Sequence, residues 1–250
     1  MQILFEKNFY KTFLLSRAHN FQFLEKNFLA KISPQNLHIW KKSCNFVRFL
    51  YTMKSESHII VPDGLQQVLL HACCAPCSSA IVEWLCARGI VPTIYYYNPN
   101  IFPREEYEIR KQESQRHADS LGIRWIDGDY DHDLWRQNVC GLELEPERGK
   151  RCEVCFYHRL LATAHKAQEL GMTWFATTLA SSRWKNLEQV NAAGLRAAEQ
   201  VSGVEFWAQN WRKDGLQDRR NELLKEYNFY NQLYCGCEFS MRTTNTNTQS

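Results

Sequence analysis

From Gln67 onward, short apolar runs alternate with longer amphipathic stretches. Val68-Leu69-Leu70-His71 has the pattern of a buried strand. Ser78-Ser79 then open a helix that runs through Leu85 and stops at Gly89. Val91–Tyr97 is a second strand, ended by Asn98-Pro99-Asn100. Pro103 precedes a helix over Glu105–Leu121, charged at i,i+4 spacing and closed by Gly122. Arg124–Ile126 reads as a third strand, Lys150–Leu170 as a helix and Trp174–Thr177 as a fourth strand. A helix over Asn186–Glu199, a short strand at Phe206-Trp207 and a helix over Asp218–Glu226 complete the series. Strands separated by helices predict an α/β fold, a parallel sheet with helices on both faces. Ligands of such sheets bind beyond the carboxyl ends of the strands. The pattern places Cys73 and Cys74, Asn98 and Asn100, Asp127 and Asp129, and Thr177 and Thr178 there.

Residues 1–56 are different. They are rich in Phe, Lys and Asn, poor in Gly, and lack the alternation. We expect them to be an N-terminal extension outside a single unit of residues 57–240, with the translation start at Met53. A basic, partly helical segment able to touch RNA is the alternative. The tail over residues 241–250, Thr- and Asn-rich, is expected to be disordered.

The formal net charge of +3 is uneven. Eight Lys/Arg stand against two Asp/Glu before Met53, so the remainder is slightly acidic and any basic patch for nucleic acid is local. No apolar run reaches the roughly 18 residues that span a bilayer, and no cleavable secretory signal is evident. A cytoplasmic protein with no membrane partner is expected. The absence of G-x-G-x-x-G and Walker A patterns excludes the usual dinucleotide and P-loop readings.

Ten cysteines are many for such a chain, and most are clustered: Cys73-Cys74-x-x-Cys77, Cys152-x-x-Cys155 and Cys235-x-Cys237. In a chain without an export signal, clustering points to metal or redox work. Cys73, Cys74, Cys152 and Cys155 supply the four thiolates that a [4Fe–4S] centre needs. Structural zinc is the alternative, although the adjacent pair is unusual for its knuckles. Lys150, Arg151 and a helix N-terminus favour thiolates at Cys152 and Cys155. Cys77 is either a ligand of a second metal or a small packed residue in a helix's first turn. Cys86, among Val82, Leu85 and Ile90, reads as a core residue. Cys235 and Cys237 are close enough for a strained, easily reduced ring, which suits a redox-active pair; further metal ligands are the alternative.

Together these blocks resemble a known family. His71-Ala72-Cys73-Cys74-Ala75-Pro76-Cys77-Ser78, Tyr97-Asn98-Pro99-Asn100-Ile101, Glu106-Tyr107, Arg151-Cys152-Glu153-Val154-Cys155-Phe156 and Tyr234-Cys235-Gly236-Cys237 look like the cobalamin-independent epoxyqueuosine reductases, QueH. Lys185-Asn186 and Asn191 resemble it too, and the match covers roughly residues 67–240. The resemblance implies an adenine-nucleotide-hydrolase-like (HUP) Rossmannoid fold. It implies reduction of epoxyqueuosine to queuosine at the wobble position of tRNA, the final step of queuosine synthesis. It assigns a [4Fe–4S] cluster to Cys73, Cys74, Cys152 and Cys155, and a redox-active disulfide to Cys235 and Cys237. An electron donor is required besides the tRNA.

The cluster, alone or with an additional iron held by Cys77 and a carboxylate, would polarise the epoxide C–O bond. Asp129 and Asp131 are the carboxylate candidates, with turn residues of Asp-Gly-Asp-Tyr-Asp as the alternative. His71 is a candidate proton donor or a packed strand-end residue. Tyr97, Asn98, Asn100, Arg183, Lys185 and Asn186 are candidate substrate-binding residues. Tyr95, Tyr157 and Trp184 could also stack on splayed bases. Lys111, Arg116, Arg148, Arg212, Arg219 and Arg220 could meet phosphates. The rival reading of the whole chain is a zinc-stabilised, non-catalytic nucleic-acid-binding module.

Overall fold

Val68, Leu69 and Leu70 are all fully buried, because the strand they form is covered on both faces. The computed structural model describes residues 58–241. The expected extension over 1–56 and the tail over 242–250 lie outside the described residues.

The elements follow the alternation. β1 (Gln67–His71), α1 (Ala75–Ala87), β2 (Val91–Tyr96), α2 (Arg104–Ser120) and β3 (Trp125–Asp127) form the first half. α3 (His132–Asn138), α4 (Lys150–Glu169), β4 (Trp174–Thr177), a 3-10 turn (Thr178–Ser181), α5 (Leu187–Glu199), β5 (Glu205–Phe206) and α6 (Leu216–Glu226) form the second. The sheet is parallel throughout, in the order β3-β2-β1-β4-β5. α1 packs with α2 and α6, and α4 packs with α5. This is the doubly wound, Rossmannoid arrangement expected. The chain reverses its winding between β1 and β4, so the crevice for a ligand opens at their carboxyl ends.

Two packing features hold the α1 side. Trp84, Trp207 and Trp211 form an aromatic cluster with centroids 5.1–6.2 Å apart. Arg219 of α6 donates to Glu83 of α1 at 2.8 Å, with 3% and 11% of the two side chains exposed.

Two expectations need correction, and one helix appears that was not expected. α1 begins at Ala75, not at Ser78, because Pro76 sits in the first turn, where its missing N–H costs nothing. The short α3 follows from Asp131, whose carboxylate accepts from Leu134 N at 3.0 Å as an N-cap. Cys86 is exposed rather than part of the core.

Candidate active site

The turn from β1 into α1 is fixed before any thiol is considered. His71, fully buried, has its Nε2 3.0 Å from the Tyr97 carbonyl and its Nδ1 2.8 Å from Thr177 Oγ1. A carbonyl only accepts, so Nε2 carries the proton and Nδ1 accepts from the threonine hydroxyl. Burial, with Arg159 nearby, lowers the His71 pKa to about 3. The ring is neutral and both its nitrogens are engaged within the protein. Ala72 N donates to Tyr95 O at 3.0 Å, and Asn98 Nδ2 donates to Ala72 O at 2.9 Å. Cys73 N donates to Thr178 Oγ1 at 3.1 Å.

This anchored turn brings the sulfurs of Cys73, Cys74 and Cys77 within 4.8 Å of one another. The spacing left Cys77 open; its thiol joins the other two. Hydrogen bonding with Cys74, its sulfur 3.8 Å away, and with Cys77 holds the Cys73 thiol well below its ordinary range. The same bonds raise Cys74 and push Cys77 up to about 11. Gln232 Nε2 donates to Cys74 Sγ at 2.8 Å, and Thr178 Oγ1 to Cys73 Sγ at 3.4 Å. The triad can hold a metal, and three soft sulfurs suit iron–sulfur chemistry or zinc. Among the described residues no carboxylate shares this group. Asp129, in a left-handed conformation at φ 62°, is exposed, and Asp131 caps α3.

A second set of thiols comes from the start of α4 and the segment after α6. Cys155 and Cys237 pack with Trp135, Val139 and Phe239. Burial pushes Cys152 up to about 11 against the Arg148 N–H, which donates to its sulfur at 3.2 Å. Burial also raises Cys155 and pushes Cys237 up to about 12, with Cys235 adding to both. Cys235 and Cys237 are free thiols here. Gly236 between them has φ +104°, and a Cβ there would meet Arg110 and Ile101 at 3.0 Å, so glycine is required.

Lys185 connects the two sets electrostatically. Burial works against its charge, but Cys235, Cys73 and Cys77 outweigh that and hold the ammonium above its usual range. Three other tentative substrate residues have structural tasks. Asn98 Oδ1 accepts from buried Arg159, Asn186 caps α5 through Glu188 N and Gln189 N, and the Tyr97 hydroxyl meets His158 Nε2 at 2.9 Å. Buried Asn100 leaves its Oδ1 without a partner among the described residues. Arg183 is exposed.

Sequence reasoning passed over Gln232, Arg159 and the tie from Arg110. Arg110 Nη1 donates to Cys235 O and Nη2 to Tyr234 O, each at 3.3 Å. Their partners lie 61 to 158 residues away, so local spacing carries no trace of them.

The model of the family described as Epoxyqueuosine reductase QueH matches residues 68–243. The chain belongs to the QueH epoxyqueuosine reductase family. QueH from Haemophilus influenzae is 48% identical over 185 residues, covering 74% of this chain and 76% of that protein. QueH from Acinetobacter baylyi is 47% identical, over 74% of this chain and 85% of its own length. The Thermotoga maritima QueH is 36% identical, over 70% and 90%. Membership of QueH makes the chain an oxidoreductase and sets aside the non-catalytic module. The thiol sets at Cys73–Cys77, Cys152–Cys155 and Cys235–Cys237 all lie inside the matched region.

Proposed function

We propose that this protein reduces epoxyqueuosine to queuosine at the wobble position of tRNA, in the cytoplasm, as the last step of queuosine synthesis. The observation that carries the reading is a tight thiol triad electrostatically linked through Lys185 to a second thiol set, in a QueH chain. Cys73, Cys74, Cys152 and Cys155 hold a [4Fe–4S] cluster. Cys77 remains as a ligand for an additional iron. When bound, the cluster supplies one-electron transfer.

The chain's own residues supply the rest. Loss of the epoxide oxygen as water, leaving an alkene, consumes two electrons and two protons. Oxidation of the Cys235–Cys237 dithiol to a disulfide releases the same number of each, so one turnover balances. An external donor must then reduce the disulfide. Lys185 offsets the negative charge of the thiolates on both sides. The catalytic unit is residues 57–240, so a chain starting at Met53 should keep its iron and activity.

Anaerobic purification tests the reading. A brown protein with about equal iron and sulfide, converting epoxyqueuosine-containing tRNA under reductant, is expected. A colourless zinc protein without sulfide overturns it.

A further inference from the structure

Residues 182–186, between the 3-10 turn and α5, form a loop pinned along its length. Ser182 N donates to Leu179 O and Lys185 N to Ser182 O, both at 3.2 Å. Arg212 Nη2 donates to the carbonyls of Ser182 and Lys185 at 2.6 and 2.8 Å. Arg148 Nε donates to the Trp184 carbonyl at 2.8 Å. The loop nevertheless carries Trp184 with 66% of its surface exposed, while Trp84, Trp135 and Trp211 are fully buried. The Arg183 guanidinium lies 5.0 Å from the Trp184 ring centroid. With the backbone under it already fixed, the loop has little ordering left to lose when a partner covers the ring.

The charges around the loop point the same way. Lys111, Arg116 and Arg219 are engaged in ion pairs with Asp127, Glu113 and Glu83. Arg148, Arg183, Lys185 and Arg212 have no ion pair among the described residues. Arg148 lies close enough to Arg212 to disfavour its charge, after burial. Lys185 faces the thiols, but Arg148, Arg183 and Arg212, gathered without an acidic partner in a chain slightly acidic after Met53, invite an anion from outside. An exposed aromatic beside unpaired arginines has the chemistry of a single-stranded nucleic-acid site, where bases stack and phosphates meet guanidinium groups.

We propose that residues 182–186 form the platform on which a base of the tRNA anticodon loop stacks, on Trp184, while Arg148, Arg183 and Arg212 take the neighbouring phosphates. The assignment rests on the tRNA reading above. It places the bound loop next to Lys185 and so at the thiols, and it accounts for both the rigidity and the unpaired charge.

Fluorescence anisotropy of a labelled anticodon stem-loop, titrated with full-length anaerobic protein at several salt concentrations, tests it. Trp184→Ala should weaken binding on the order of tenfold without changing the salt dependence, because stacking is not ionic. Trp184→Phe should recover most of the loss. Arg183→Ala should weaken binding and reduce the slope of log affinity against log salt by about 0.7, one phosphate contact on a single strand. Iron and sulfide should stay at wild-type levels in all three. Wild-type affinity and slope in both alanine variants would overturn the platform and leave the tRNA reading intact. A wild-type protein that binds no stem-loop would overturn both. Iron loss in Trp184→Ala, or no recovery with Phe, would make the ring a structural part and also overturn the platform.

Discussion

The thiols at the start of α1 and those after α6 are held in opposite ways. Cys73, Cys74 and Cys77 leave a turn whose backbone and flanking side chains are tied to β2, β4 and the 3-10 turn. Cys235 and Cys237 sit in an irregular segment, attached by a single antiparallel bridge between Ile101 and Cys237, by Phe102 N to Gly236 O at 2.8 Å, and by Arg110. The first set rides on the turn from β1 into α1, and the second lies in an irregular segment packed beside it. A metal site gains from a fixed geometry, whereas a dithiol that closes and reopens in each turnover needs a backbone that can yield. On the proposed function, the two attachments suit those two tasks.

The widest separation between the sets should come from cysteine replacement. Cys73→Ala or Cys74→Ala should remove nearly all iron and sulfide, read by metal analysis and visible absorbance. Retention of full metal in both would erase the distinction between the sets. Cys235→Ser or Cys237→Ser should keep metal yet abolish multiple turnover, and wild-type thiol counts should rise by about two on strong reduction. Metal loss in both serine variants would make the pair a ligand set.

The attachment itself is tested by Arg110→Met. Arg110 is 3% exposed, pairs with Glu106 at 2.6 Å, and fastens the carbonyls of Tyr234 and Cys235. Leaving Glu106 buried and uncompensated should cost about 3–5 kcal/mol in denaturant unfolding. Adding Glu106→Gln should return part of it; no recovery would mean that the ion pair is not the source of the loss. The smallest effect belongs to Gln232, which reaches from the irregular segment to Cys74. An N–H donor to a cluster sulfur raises its potential. Gln232→Leu should favour the oxidised state about tenfold, roughly 59 mV lower in a one-electron titration. An unchanged potential would show that the two sets do not communicate through this amide.

The same contrast explains what was legible beforehand. β1 to β4 and the long helices follow from apolar runs and glycine stops, and Gly89, Gly122 and Gly171 all have positive φ after helices. The order of strands made the place of Cys73 and Cys74 at the crevice readable, whereas the third thiol, Cys77, joins them only through the turn into α1. Cys86 misled because apolar neighbours at helical spacing do not say which side of the helix a residue occupies, and this one faces water. α3 was missed because seven residues are too few to show a period. The roles of Arg110, Arg159 and Gln232 depend on contacts made only when the chain closes on itself.

His71 has one more consequence. Its neutral ring joins the ends of β1, β2 and β4 two residues before Cys73, entirely through protein partners. The turn that presents the thiols is therefore built by the sheet and not by the metal. In small zinc domains metal uptake and folding are one event. Here they separate: chelated protein should keep its secondary structure and cooperative melting, and take up iron and sulfide again without passing through an unfolded chain. Cluster damage by oxygen would then be a repairable injury to a standing scaffold.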